Sequence, residues 1–142
     1  MFSVLNYLFR SNIKPLDKII LLYDGEPSSV HAVKSFSYLF KNLKELDSEV
    51  VSVKAIEESL YLPDNKLIKE FIKRHFPQVE YVVLRGVAED VIITHLKKQK
   101  QEPVIVLGAY GRNRFSQLFK PSMADYILQH LEYPLFITHT KY

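Results

Sequence analysis

Short runs of apolar residues alternate along this chain with segments whose apolar residues recur at the helical period. Five runs have the pattern of strands that are buried on both faces. Because helical segments separate the runs, we expect these strands to pair in parallel. The alternation therefore predicts an α/β fold, an open five-stranded parallel sheet with helices on both faces. The five predicted strands are Lys18–Tyr23, Val50–Ile56, Val79–Leu84, Pro103–Leu107 and Pro134–Ile137.

The four segments between the strands each carry one apolar face. Turn residues from Asp24 to Ser29 are expected to cap the first helix, and Asp64 the second, which stops at Pro77. At 142 residues, the chain fits one domain. We expect an N-terminal extension over residues 1–16 and one domain over residues 17–142. The helical faces are Val33, Phe36, Phe40 and Leu43; Leu67, Ile68, Phe71 and Ile72; Val91, Ile92, His95 and Leu96; and Met123, Ile127 and Leu131.

Composition excludes several classes of protein. The chain has no cysteine, which rules out a disulfide scaffold, thiolate catalysis and a zinc site built on Cys. Its five histidines form no i, i+4 pair, so no metal site is expected. The 19 Lys and Arg against 16 Asp and Glu give a net charge of +3, too small to imply nucleic-acid binding. No apolar run approaches the ~20 residues that span a bilayer, and a cytoplasmic location is expected.

Polar residues follow the first and fourth predicted strands, where ligands bind in parallel sheets. Asp24 follows the first strand. The loop Gly108-Ala-Tyr-Gly111 follows the fourth, with Arg112 and Arg114 behind it and Ser122 at the start of the last helix. A carboxylate can hold a ribose or a base, while glycine amides and a helix N-terminus can hold phosphates. Alternatively, Asp24 and Ser122 are helix caps, the glycines are turn residues and the arginines are solvated.

Other nucleotide-binding and signalling classes lack their motifs here. No Walker loop is present, and Asp24-Gly-Glu-Pro27 stands where a dinucleotide fingerprint would follow the first strand. The third strand ends in Leu84-Arg85-Gly86, without the aspartate of a phosphoacceptor domain. No nucleophile and base stand at a spacing that indicates a hydrolase.

The sequence resembles the universal stress protein family over residues 17–140. The similarity lies in Asp24-Gly-Glu-Pro-Ser-Ser-Val30, in Gly86-Val-Ala-Glu-Asp-Val-Ile92 and in the pattern G-x2-G-x9-G-[S/T], which reads here as Gly108, Gly111 and Pro121-Ser122. The resemblance implies the strand order 3-2-1-4-5 of the adenine-nucleotide alpha-hydrolase-like fold. It also implies ATP or another adenine nucleotide bound at Asp24, Ala55, Gly108, Gly111 and Ser122.

The chain departs from the family pattern at Pro121, where nucleotide-binding members have glycine. Proline has no backbone N–H to donate to a phosphate. One lost charge-assisted hydrogen bond costs about 1.5–3 kcal/mol, so we expect weak nucleotide binding. Two alternatives stay open: a protein-interaction role without nucleotide, and a slow ATPase, for which the sequence offers no catalytic base.

The resemblance further implies a homodimer in which the last strands of two subunits pair antiparallel. That strand is apolar and is expected at the sheet edge, where an uncovered strand promotes aggregation. Partner proteins are expected but are not identified by the sequence. The candidate interface residues are Tyr133, Leu135, Ile137 and His139.

Overall fold

The computed structural model describes residues 15–25, 27–54, 65–109 and 123–139, in which five strands form one parallel sheet. The sheet order is β3-β2-β1-β4-β5, which confirms the predicted fold class and strand order. In chain order the elements are β1 (Lys18–Leu22), α1 (Pro27–Leu39), a 3₁₀ turn (Lys41–Leu43), β2 (Asp47–Lys54), α2 (Asn65–His75), β3 (Val79–Arg85), α3 (Ala88–Lys97), β4 (Pro103–Ala109), α4 (Met123–His130) and β5 (Leu135–His139).

Hydrophobic cores lie on both faces of the sheet, as the continuous apolar strands require. Successive strand residues point to opposite faces. In β1, Ile19 and Leu21 face the core under α1 and α2, whereas Ile20 and Leu22 face the core under α3 and α4. All four side chains are buried. The helices therefore hold the sheet from both sides and leave its strand ends for loops.

The second strand begins at Asp47, three residues before the predicted start at Val50. Ser48 and Glu49 are polar but buried. A prediction based on hydropathy alone therefore did not include them in the strand. The Glu49 carboxylate is compensated by hydrogen bonds, which makes its burial tolerable. Of the predicted C-terminal end of this strand, Ala55 and Ile56 lie outside the described residues.

The first helix ends at Leu39, before the predicted apolar position Leu43. A 3₁₀ turn follows, and Leu43 still packs against the α1–α2 core from there. At the other end of the chain, α4 stops at His130, just before Leu131. Leu43 and Leu131 thus pack against the cores, but they do not lie in the expected helices.

The last two strands of the sheet run two residues beyond their predicted ends, to Ala109 in β4 and His139 in β5. Their parallel register aligns Gly108 with Thr138 and Ala109 with His139. The pairing continues past the apolar runs because backbone groups, not side chains, form the ladder. The predicted candidate Gly108 therefore lies inside β4 and not in the loop after it.

Candidate functional site

Two of the predicted site residues come together where the strand order reverses. Asp24 follows the carboxyl end of β1, and Gly108 lies near the carboxyl end of β4. These strands are neighbours in the sheet, and β1 has β2 on its other side. Open parallel sheets bind ligands at such a switch point. We take the carboxyl ends of β1 and β4 as the candidate site.

Asp24 is fixed by the first turn of α1. Its side chain is buried, and its carboxylate accepts a hydrogen bond from the Ser29 hydroxyl. The Asp24 backbone N–H donates to the same hydroxyl oxygen at 3.4 Å. Gly25 has a φ of 87°, which lets the chain turn sharply between the strand and the helix. The Ser29 hydroxyl thus joins Asp24 to the first turn of α1, and both the capping and the ligand-binding interpretations of Asp24 stay predictions.

Gly108 is where the first turn of α1 packs directly on the backbone of β4. A Cβ atom at this position would lie 2.3 Å from the carbonyl oxygen of Ser28, a distance at which atoms clash. Only glycine allows this close approach. Gly108 therefore has a packing role in the fold, and contact of its amide with phosphate stays a prediction.

Two buried hydroxyl groups flank Gly108 and were not anticipated from the sequence. Among the described residues, Ser28 Oγ and Thr138 Oγ1 have no hydrogen-bond partner. Thr138 aligns with Gly108 across the β4–β5 ladder and lies on the same sheet face as Phe136, beneath α1. Buried hydroxyls are nearly always paired with protein or water. The candidate site thus holds spare hydrogen-bonding capacity on the α1 side of Gly108.

The remaining predicted binding residues are not placed by the structure. They lie outside the described residues, in the segment after β2 and the segment between β4 and α4. The pattern that assigned them stays a prediction. They are Ala55, Gly111, Arg112, Arg114 and Ser122.

The candidate dimer residues lie at β5, which pairs with β4 at one edge of the sheet. The side chains of Leu135 and Ile137 are buried under α3 and α4 within the protomer. The Tyr133 hydroxyl donates to the carbonyl oxygen of Leu96 at 3.3 Å. His139 extends the ladder beside Ala109. Any pairing of subunits here would therefore use the strand's backbone edge and not the Leu135 and Ile137 side chains.

A second polar cluster lies at the opposite end of the sheet. The buried Glu49 carboxylate accepts hydrogen bonds from the Lys18 ammonium, at 2.6 Å, and from His95 Nε2. The hydrogen bond from His95 is the main cause that lowers the pKa of Glu49, and burial opposes it. A cavity of about 340 Å³ opens here, between the amino ends of β1, β2 and β3. Ligands of parallel sheets bind at the other end, so this cavity is not the candidate site.

The described residues contain neither a metal-binding cluster nor a membrane-spanning helix. No group of three or more His, Asp or Glu side chains there is arranged to hold a metal ion. Within the same residues, no helix has both the length and the apolar content needed to cross a bilayer.

Comparison with known proteins gives a family and a fold. The model of the universal stress protein family matches residues 15–139. Comparison of the sequence with curated proteins gave no match.

Solved structures share the fold at low sequence identity. A universal stress protein in complex with cAMP has a TM-score of 0.65 and 14% identity, covering 90% of this chain and 100% of that one. UspA from Lactobacillus plantarum has a TM-score of 0.58 and 14% identity, covering 90% and 100%. A family protein from Arabidopsis thaliana with AMP bound has a TM-score of 0.53 and 13% identity, covering 89% and 93%.

Proposed function

Because the chain belongs to the universal stress protein family, we propose that it is a cytoplasmic, homodimeric module that binds ATP or another adenine nucleotide weakly. The observation that carries the proposal is the meeting of Asp24 and Gly108 at the switch point of the sheet. Two structures of the same fold are described as complexes with cAMP and with AMP, which supports an adenine nucleotide as the ligand class.

Each candidate residue has a role that follows from its chemistry. The Asp24 carboxylate accepts hydrogen bonds from ribose hydroxyls or from the base, since both oxygens of an ionised carboxylate are acceptors. Backbone N–H groups of a glycine loop and a helix N-terminus favour phosphates. Arginine side chains add bidentate donors. The candidate set is Asp24 and Ala55 for the nucleoside, and Gly108, Gly111, Arg112, Arg114 and Ser122 for the phosphates.

The residues at the carboxyl ends suit a polar ligand. Ser28 Oγ and Thr138 Oγ1 are buried without partners on the α1 side of Gly108. An unpaired buried hydroxyl costs free energy that a hydrogen bond to a ligand or to an ordered water would offset. This spare capacity lies beside the strand end at which the nucleotide is proposed to bind.

Pro121 sets the expected strength of binding, because it lacks the N–H that glycine would offer to a phosphate. We expect Pro121→Gly to tighten ATP binding about tenfold. Isothermal titration calorimetry of both proteins measures this change. Pro77→Gly is the matched control, since Pro77 is an exposed residue just before the amino end of β3, and it should leave the affinity unchanged.

The outcomes separate the candidate functions. Equal affinity in Pro121→Gly and the unchanged protein would mean that the phosphates do not use this backbone position. If neither protein binds ATP, the alternative protein-interaction role, which Pro121 itself favours, replaces nucleotide binding. Phosphate release at a rate that rises in proportion to the concentration of purified protein would be required to assign a slow ATPase.

A further inference from the structure

Positive charge is concentrated on the sheet face that α1 and α2 cover. The segments 27–46 and 65–75 contain seven Lys and Arg residues and two Glu residues, whereas the whole chain has a net charge of only +3. Both segments pack their apolar residues against the same core. The cations are Lys34, Lys41, Lys44, Lys66, Lys69, Lys73 and Arg74.

The rings of Tyr38, Phe71 and His75 form an aromatic cluster on this charged face, where α1 and α2 come together near their C-terminal ends. Tyr38 of α1 is 56% exposed, and its ring centroid lies 6.1 Å from that of His75 in α2. The Phe71 ring also packs against His75, and the centroids of these two rings lie 4.8 Å apart. Because Tyr38 is exposed but held against α2, it loses little side-chain conformational entropy when a partner binds to it.

Three cations of the α1–α2 face act on His75: Lys34 of α1, Lys44 of the turn before β2, and Arg74, its neighbour in α2. Burial lowers the pKa of His75, and the positive charges of Lys44, Arg74 and Lys34 lower it further. Within the described part of the chain, none of these three cations forms an ion pair with a carboxylate. Unpaired cations brought together in this way repel one another, and the charges of an acidic ligand would relieve the repulsion.

We propose that these five residues, Lys34, Tyr38, Lys44, Arg74 and His75, form an α1–α2 basic surface that binds an acidic segment of a partner protein. Carboxylates of the segment pair with the cations, and one apolar or aromatic residue packs on Tyr38. Tyrosine and arginine are enriched among the residues that dominate binding energy at protein interfaces. The surface lies toward the amino ends of the strands, away from Asp24 and Gly108, so it acts independently of nucleotide binding.

The geometry favours a protein segment over other polyanions. Nucleic-acid surfaces align cations along a backbone track and offer aromatic faces for stacking. Here the cations come from two helices and from the turn before β2, and the Tyr38 ring meets the imidazole at 71°, edge to face. A membrane-bound helix presents a broad apolar face beside its cations. By contrast, α1 and α2 pack most of their apolar residues against the sheet and expose Tyr38, Leu39 and Leu67.

The test uses a fluorescein-labelled peptide of Asp and Glu residues around one central Trp, followed by fluorescence anisotropy at low salt. We expect Lys34→Glu with Arg74→Glu to weaken binding at least about tenfold. Lys97→Glu with Lys98→Glu changes the net charge equally at the end of α3, on the other face of the sheet, and should retain binding. Equal weakening by both pairs, or no binding by the unchanged protein, would overturn the proposal.

Two further measurements do not depend on the charge-reversed variants. Tyr38→Ala should weaken peptide binding several-fold, while Leu67→Ala, which removes another exposed side chain of the same face, should not. In the unchanged protein, peptide carboxylates should raise the pKa of His75, measured by NMR titration of its imidazole. Tighter binding of an oligothymidylate or of phosphatidylserine vesicles than of the peptide would assign the surface to another partner class and refute this one.

Discussion

Ser28 and Ser52 are both buried, but only one of them has a hydrogen bond. Ser52 Oγ donates to the carbonyl oxygen of Tyr23 at 2.6 Å, which ties β2 to the end of β1. Ser28 Oγ has no hydrogen-bond partner in the part of the chain that the structure describes. We expect Ser52→Ala to lower the free energy of unfolding by about 1 kcal/mol, since it removes a buried hydrogen bond. Ser28→Ala should change it little, because alanine also favours the helix.

Chemical denaturation of the two variants measures this difference, and each variant serves as the control for the other. Binding of ATP adds a second readout, because a nucleotide that uses the Ser28 hydroxyl would stabilise the unchanged protein more than Ser28→Ala. Similar losses of stability in both variants would mean that Ser28 does have a partner in solution, such as an ordered water.

At the residue scale, the sequence allowed some site positions to be predicted and not others. Asp24 and Gly108 were identified because they stand at the ends of apolar runs, and chain connectivity alone brings such ends to one edge of the sheet. The unpaired state of Ser28 and Thr138 was hidden. It depends on how closely α1 approaches β4, which no local pattern encodes.

At the scale of elements, Glu49 links three of them by joining β2 to Lys18 of β1 and His95 of α3. Its pKa is lowered in the folded protein, chiefly by the hydrogen bond from His95. A lowered carboxyl pKa stabilises the folded state above the pKa of the unfolded chain, and this contribution disappears as the pH falls through the folded-state pKa. Acid should therefore loosen the contact between β2 and α3.

Glu49→Gln tests this link. The substitution leaves Lys18 without its carboxylate, so we expect the free energy of unfolding at neutral pH to fall by about 3 kcal/mol. The variant should also lose less stability on acidification than the unchanged protein. Denaturation curves at neutral and acidic pH measure both effects. Glu80→Gln is the control, because Glu80 is the register partner of Glu49 on β3 but is exposed. If the stability of both variants depends on pH in the same way, Glu49 does not stabilise the fold through these contacts.

The same cluster explains why the start of β2 was mispredicted. Hydropathy assigns a strand only to Val50 and beyond, whereas the ladder begins at Asp47. A buried carboxylate is rare unless it is paired, and its partners here are 31 and 46 residues away in the chain. The residues near Glu49 in the sequence do not reveal such distant partners. The types of the elements could therefore be predicted, whereas the start of β2 could not.

At the scale of the molecule, the strand order followed from the family resemblance and the charge distribution did not. A net charge of +3 averages over both faces of the sheet and suggests no basic surface. Folding packs residues 27–46 and 65–75 against the same core, so that their seven cations lie on one side of the sheet. Overall charge therefore underestimates what a single face can bind.

The proposed homodimer depends on the outer backbone edge of β5. The side chains of Leu135 and Ile137 cannot form the interface core, since they are 0% and 7% exposed within the protomer. In the β4–β5 ladder, Ile105 N–H donates to the carbonyl oxygen of Pro134. Because alternate residues of a strand direct their backbone groups to opposite sides, Phe136 and Thr138 face β4. The backbone groups of Leu135, Ile137 and His139 therefore face outward, where a second β5 strand can pair.

A proline at a β5 residue whose N–H faces outward tests this arrangement, because it removes no hydrogen bond between β5 and β4. We expect His139→Pro to weaken dimerisation at least about tenfold, because each subunit loses an outward N–H and gains a ring at the strand edge. His139→Ala removes the same side chain but keeps the N–H, and should remain dimeric. Sedimentation velocity across a range of protein concentrations measures both. If the unchanged protein is a monomer, the dimer is refuted. If His139→Pro and His139→Ala associate equally, the interface lies away from β5, and that edge must be covered within one chain.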